Sequence, residues 1–186
     1  MRIVAGEFGG RKLLAPKGGG IRPTADRVRE AIFNIIAPHI REAHVLDLFA
    51  GTGAFGLEAL SRGAAEAVLV DQNAEAVRLI RSNMELCGVL DRAHVIHGAV
   101  DRIVKRLASR GSAFDVVFLD PPYRKGFLEE AISLAEQVAR PEAIVIAEHD
   151  TRDLSPDRSG KWLRAEKRRY GDTTVSFYIM EQSNLE

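Results

Sequence analysis

One cysteine in 186 residues rules out an internal disulfide and fits a reducing cytosol. Long apolar runs are missing too. The longest span four or five residues, such as Ile144 to Ala147, far short of the ~20 that a membrane helix needs. Met1-Arg2-Ile3-Val4-Ala5-Gly6-Glu7 holds no apolar stretch of signal-peptide length, so a cytoplasmic protein is expected. With 16 Gly and 7 Pro the chain is too poor in both for a collagen or a low-complexity linker. What it does have is 46% hydrophobic residues in a length suited to one domain with a real core. A single domain over 1–186 is expected, with a basic arm or hairpin over 1–23 and the core over 24–186.

Net charge is zero, but it is unevenly spread. Residues 1–30 hold seven Lys/Arg against three Asp/Glu, and residues 151–170 again hold seven against three. Residues 31–150 hold twelve against seventeen. Two basic segments flank an acidic middle. Folded against one face, they would form a basic patch suited to phosphates.

Short apolar runs at Arg2–Ala5 and Lys12–Ala15, joined by glycines, predict a hairpin or arm, and Gly18-Gly19-Gly20 reads as a hinge. Thr24 is a candidate N-cap for a helix reaching about Ile40, with Val28, Ile32, Ile35 and Ile36 as its apolar stripe. From residue 44 strands and helices alternate. Strands are predicted at 44–49, 67–70, 93–97, 114–119 and 143–147, with helices at 53–62, 73–86, 101–109 and 127–139. Such alternation implies a parallel sheet covered on both faces. A closing hairpin follows, 162–170 and 174–180, joined by Gly171-Asp172.

Gly51, Gly53 and Gly56 spell GxGxxG between the first strand and its helix. Glycines there allow a tight turn and let a ligand approach bare backbone. Asp71, twenty residues after Gly51, ends the second strand, where a carboxylate accepts hydrogen bonds from ribose hydroxyls. The spacing marks a nucleoside site and leaves NAD(P) open. Asp47 discriminates. It lies four residues before Gly51, where a pyrophosphate would gain nothing from another anion and a sulfonium or ammonium would gain. S-adenosylmethionine carries both cations and no phosphate.

Asp120-Pro121-Pro122-Tyr123 directly follows the fourth strand. In open α/β sheets ligands bind beyond the carboxyl ends of strands at the switch point, so this loop should face the glycine loop. Two prolines fix φ and remove two donors, leaving an acceptor-rich wall. That chemistry suits an exocyclic amine on a nucleobase, with Tyr123 as a stacking face.

These residues resemble the Rossmann-like class I S-adenosylmethionine-dependent methyltransferases of the (D/N)PP(Y/F) branch. Arg2–Gly6, Gly10–Leu13, Arg22–Glu30, Phe33-Asn34, Leu57–Ala64 and Tyr170–Thr173 look like the bacterial 16S rRNA guanine-N2 methyltransferases of the RsmD type. The resemblance implies a seven-stranded, mostly parallel sheet with an antiparallel last strand. It implies methylation of one guanine N2 in 16S rRNA, in an assembled or partly assembled small subunit, by a monomer using S-adenosylmethionine. By motif position, Asp47, Ala50, Gly51 and Gly53 would meet the methionine part. Asp71 would bind the ribose, Gln72 would lie near the adenine, and Gly98 and Ala99 would border it. Many such enzymes carry an acid at about Ala99, and its absence leaves backbone groups for that contact.

Asp120, Pro121, Pro122 and Tyr123 are the candidate catalytic residues. Arg11, Lys12, Arg22, Arg27 and Arg29 are candidates to hold RNA phosphates, ahead of Arg164, Lys167, Arg168 and Arg169. Glu148 and His149 close the fifth strand and could border the pocket. Cys87, late in a helix, reads as a packed hydrophobe rather than a nucleophile. His94 and His97 sit three apart in a strand and point to opposite faces, which argues against a metal pair. A DNA adenine-N6 methyltransferase is the alternative, although no segment is spare for reading DNA and flipping a base. A protein-glutamine methyltransferase would leave the basic arm without a use. An RNA-binding module that kept a nucleoside pocket is the non-enzyme alternative.

Overall fold

The computed structural model describes residues 1–16, 23–122 and 127–181; Gly18–Gly20, Arg22 and Tyr123 lie outside them. The five parallel strands are β1 (His44–Leu48), β2 (Glu66–Asp71), β3 (Ala93–His97), β4 (Phe114–Leu119) and β5 (Ala139–Asp150). Three more follow: β6 (Arg158–Ser159), β7 (Trp162–Tyr170) and β8 (Thr173–Met180). The sheet order is β3-β2-β1-β4-β5-β8-β7-β6. β8 runs antiparallel between β5 and β7. This is the Rossmann-like class I methyltransferase arrangement, and the last strand is antiparallel as expected. The one departure in strand number is β6, a two-residue strand paired with Trp162 and Leu163 at the sheet edge.

The chain leaves β1 toward β2 and β3 on one side and returns to β4 on the other. That reversal opens a crevice at the carboxyl ends of β1 and β4. Helices α1 (Pro23–Ile35), α2 (Ala54–Ser61) and α3 (Ala74–Cys87) pack on one face, and α4 (Val100–Ser109) and α5 (Phe127–Ala135) on the other. Both cores are apolar. Ile32, Phe33, Leu57 and Phe118 meet on the first face, and Val104, Ile132, Trp162 and Tyr178 on the second.

The N-terminal residues form a docked hairpin. Ile3 N–H donates to the Arg11 carbonyl at 2.9 Å and Gly10 N–H to the Ile3 carbonyl at 2.8 Å. Ile3, Phe8 and Leu13 are buried in the first core. Glu58 of α2 accepts from Val4 N–H at 2.7 Å and Ala5 N–H at 3.0 Å. Asn83 of α3 accepts from Leu14 N–H at 2.8 Å and donates to the Thr52 carbonyl at 2.9 Å. Asn83 thereby ties the hairpin to the glycine-rich loop.

Several boundaries differ from the sequence reading: α1 begins at Pro23, so Thr24 lies inside it rather than at its N-cap, and β5 runs on to Asp150 rather than Ala147. α1 ends at Ile35, not Ile40, and a 3-10 turn over Ala37–His39 follows. Pro38 explains this: it has no N–H to give the Asn34 carbonyl, and its ring would clash with that carbonyl in a continued α-helix. α5 ends at Ala135, not Ala139, through tightened bonds such as Val138 N–H to the Ala135 carbonyl at 3.2 Å. β5 then begins at Ala139 rather than Ala143. A bulge between Phe114 and Val116 absorbs the extra residues. Arg140 within it donates to both oxygens of Asp115 at 2.7 Å.

Candidate active site

The loop after β1 is built on unusual backbone. Phe49 has φ 65°, a left-handed conformation that is costly for an aromatic residue. Gly51 and Gly53 follow at φ 55° and 77°, where glycine alone is unstrained. A Cβ on Gly51 would meet nothing nearer than the Phe49 carbonyl at 4.0 Å, so its backbone lies bare to the crevice. Gly56 serves packing: a Cβ there would sit 2.9 Å from Leu69 Cδ2. Without it α2 comes close enough for Gly56 N–H to donate to Asp47 Oδ2 at 3.0 Å.

Asp47 is 2% exposed and carries that single hydrogen bond among the described residues. Burial raises its pKa to about 7; the Gly56 N–H pulls the other way, and the nearby Asp71 charge adds to the rise. Asp71 caps the neighbouring turn. Its Oδ2 accepts from Gly51 N–H at 2.9 Å and its Oδ1 from Asn73 N–H at 2.8 Å. Each oxygen keeps a free lone pair for a hydroxyl.

Asp120, at the end of β4, shares one cavity of about 260 Å³ with Asp47, Phe49, Ala50, Gly51 and Glu148. Asp120 itself is exposed to solvent. The protein packed around it raises its pKa, and the charges of Glu148 and then Asp47 raise it further. Pro121 is buried and Pro122 exposed. Tyr123, the fourth residue of the motif, lies outside the described residues.

Phe49 also lines an adjoining pocket of about 200 Å³ with Gln72, Ala99, Asp101, Phe127 and Leu134. Gln72 and Ala99 thus meet there, as the motif positions suggested. Gly98 is not among the lining residues; its N–H donates to the Asp71 carbonyl at 3.0 Å and ties β3 to β2. Asp101, two residues past position 99 in the first turn of α4, is a carboxylate lining the same pocket. The sequence signal for it was its place at the helix start.

Two residues sit differently from the sequence reading. Arg29 does not face solvent. It is 2% exposed, with a nitrogen 3.0 Å from Asp26 Oδ1 and its Nε 3.5 Å from Glu58 Oε2, and it lines the Asp47–Asp120 cavity. It is therefore no phosphate clamp. His149 points away from the crevice: it is 1% exposed, its Nε2 3.0 Å from Ser176 Oγ. Glu148, its neighbour in a strand, takes the opposite face and lines the cavity.

Arg11 lies over the Phe8 ring at 5.9 Å and also donates to the Leu86 carbonyl. Lys12 is exposed opposite Arg2, next to Met1, which lines the cavity. Arg27 is exposed on α1. Cys87 is buried in the core. His94 faces Glu66 at 3.3 Å, and the His97 ring lies 3.1 Å from the Gln72 carbonyl.

Comparison with known proteins follows the same lines. A family model described as Conserved hypothetical protein 95 matches residues 1–179. Ribosomal RNA small subunit methyltransferase D of Escherichia coli (strain K12) is 37% identical over 183 residues, covering 97% of this chain and 90% of that protein. YlbH of Bacillus subtilis (strain 168) is 36% identical over 180 residues, covering 96% and 98%. The solved structure of yhhF from Escherichia coli superposes with a TM-score of 0.85 at 37% identity, covering 97% of this chain and 98% of that one.

Proposed function

The chain belongs to the Conserved hypothetical protein 95 family, alongside the ribosomal RNA small subunit methyltransferase D proteins, and from that membership and the crevice we propose that it transfers a methyl group from S-adenosylmethionine to the exocyclic N2 amine of a guanine in 16S rRNA. One observation carries the reading. Asp47, Asp120 and Glu148 converge on one cavity beside the glycine-rich loop, against one guanidinium among the described residues, Arg29. An anionic, partly dry cavity of this kind favours a cationic occupant.

The residues present fit the cofactor. Asp47, Ala50, Gly51 and Gly53 would hold the methionine part, Asp71 the ribose, and Gln72 and Ala99 the adenine side, with Asp101 as the acid nearest it. S-adenosylmethionine supplies an electron-poor methyl carbon on a sulfonium, which makes the transfer a direct displacement governed by alignment.

The protein's part lies on the acceptor side. Asp120 and the carbonyls around Pro121 and Pro122 accept from the amine and orient its lone pair, and Tyr123 stacks on the base. After transfer the nitrogen is cationic and strongly acidic. Asp120, with its raised pKa, is a fitting group to take that proton, with water as the other route. Arg11, Lys12, Arg22 and Arg27 would meet phosphates of the RNA in an assembled or partly assembled small subunit, with the enzyme acting as a monomer in the cytoplasm.

Mass mapping of modified nucleotides in rRNA from cells with and without the gene tests this. One methylated guanine in 16S rRNA should vanish with the gene. Unchanged rRNA together with a lost N6-methyladenine in DNA would favour the adenine-N6 alternative.

A further inference from the structure

The cavity holds one carboxylate more than cofactor binding and amine orientation require. Asp47 is pinned by Gly56, and Asp120 ends β4. Glu148 reaches the same cavity from the carboxyl end of β5, half-buried. It is the charge that acts most strongly on Asp120. Burial raises its pKa, the Arg29 charge opposes that rise, and no hydrogen bond reaches it from the described residues. Arg29 is itself held by Asp26, Glu58 and the Arg2 carbonyl, and its buried Nε has no hydrogen-bond partner among the described residues. A fixed guanidinium thus keeps a carboxylate with free acceptors beside the amine-binding turn.

We propose that Glu148 is the residue that selects guanine, accepting the N1–H of the base while the Asp120 turn accepts from its N2 amine. Guanine presents two adjacent donors on its Watson–Crick edge, and two neighbouring acceptor groups match them. Adenine presents its amine next to the bare lone pair of N1, which would face the Glu148 carboxylate with no proton between them. Leaving buried polar groups unpaired in this way is what gives large discrimination between similar substrates. Arg29 acts here as a positioning residue: its charge counters the rise that burial imposes on the Glu148 pKa and so supports the accepting form. The assignment rests on the guanine-N2 reading above and extends it to the choice of base.

2-Aminopurine separates the two. It keeps the N2 amine but has an unprotonated N1. The probe is a small-subunit RNA carrying guanine or 2-aminopurine at the nucleotide found by mass mapping, made by splinted ligation. Two readouts are taken: competition binding without cofactor and single-turnover methyl transfer. The wild type should favour guanine on the order of 100-fold or more. Glu148→Gln, whose amide can donate to N1, should shrink that preference at least tenfold in both readouts. An unchanged preference overturns the assignment. Should the amide lower the melting temperature, Glu148→Asp serves instead: it should slow guanine and leave 2-aminopurine unaffected, and an equal fall on both overturns the assignment. A wild type that leaves guanine RNA unmethylated overturns the guanine-N2 reading itself.

Discussion

Two clusters of carboxylates, one buried and one partly open, lie on either side of Arg29, and they are built in opposite ways. Beneath the hairpin, Glu58 is 0% exposed and fully engaged. It accepts from Val4 and Ala5 N–H, from Arg62 Nε at 2.8 Å, and faces Arg29 Nε at 3.5 Å. In the crevice, Asp47 has one hydrogen bond from the described residues, and the Glu148 charge raises the pKa of Asp120. The satisfied cluster holds the fold together. The unsatisfied one costs stability that only an incoming cation or donor returns, and such conflict between local chemistry and stability marks functional sites.

Substitutions should separate the two clusters. Asp120→Ala should remove most turnover, about 10³-fold or more, since orientation and electrostatics at the reacting amine are lost together. Cofactor affinity by calorimetry should stay nearly unchanged, and equal loss of both would count against the assigned role. Glu58→Ala should do the reverse: lower stability by about 3–5 kcal/mol in denaturant melts, because two N–H groups and two guanidinium groups lose their acceptor. It should act on turnover only through folding.

Asp47→Asn draws the contrast within one residue. Its amide oxygen can still accept from Gly56, but the buried charge is gone. With a native pKa near 7 against an unfolded 3.8, the folded state binds the extra proton between those values. Wild-type stability without cofactor should therefore fall as pH rises through that window. The variant should lack that fall, melt higher at pH 8, and bind cofactor at least tenfold more weakly. A wild-type melting temperature flat from pH 4 to 7.5 would contradict this. The smallest effect is at the surface. Replacing Arg11 and Lys12 with Ala should flatten the salt dependence of RNA binding, by about one in log–log slope for each phosphate left without its cation. An unchanged slope would mean that the hairpin does not touch phosphates.

The order of elements was legible because apolar runs and turn residues punctuate the chain locally; β1, β3 and β4 fall within a residue of their predicted limits. The start of β5 was not, because it depends on a bulge held by Asp115 and Arg140, twenty-five residues apart. The end of α1 could have been read from Pro38. In the crevice, the meeting of Asp47 with Asp120 follows from strand order and was within reach. Arg29 was misplaced because a basic helix residue looks solvated until its partners, Asp26 and the distant Glu58, close over it. Asp101 lies two residues past the motif position, where spacing alone does not mark it, and the strained φ of Phe49 leaves no trace in composition.

The most direct test is calorimetry of S-adenosylmethionine binding from pH 6 to 8 in buffers of different ionisation heat. If Asp47 waits in the crevice for a cation, affinity should rise through about pH 7 and binding should release a proton there, and Asp47→Asn should abolish both. Affinity independent of pH, with no proton released and no effect of the substitution, would contradict it.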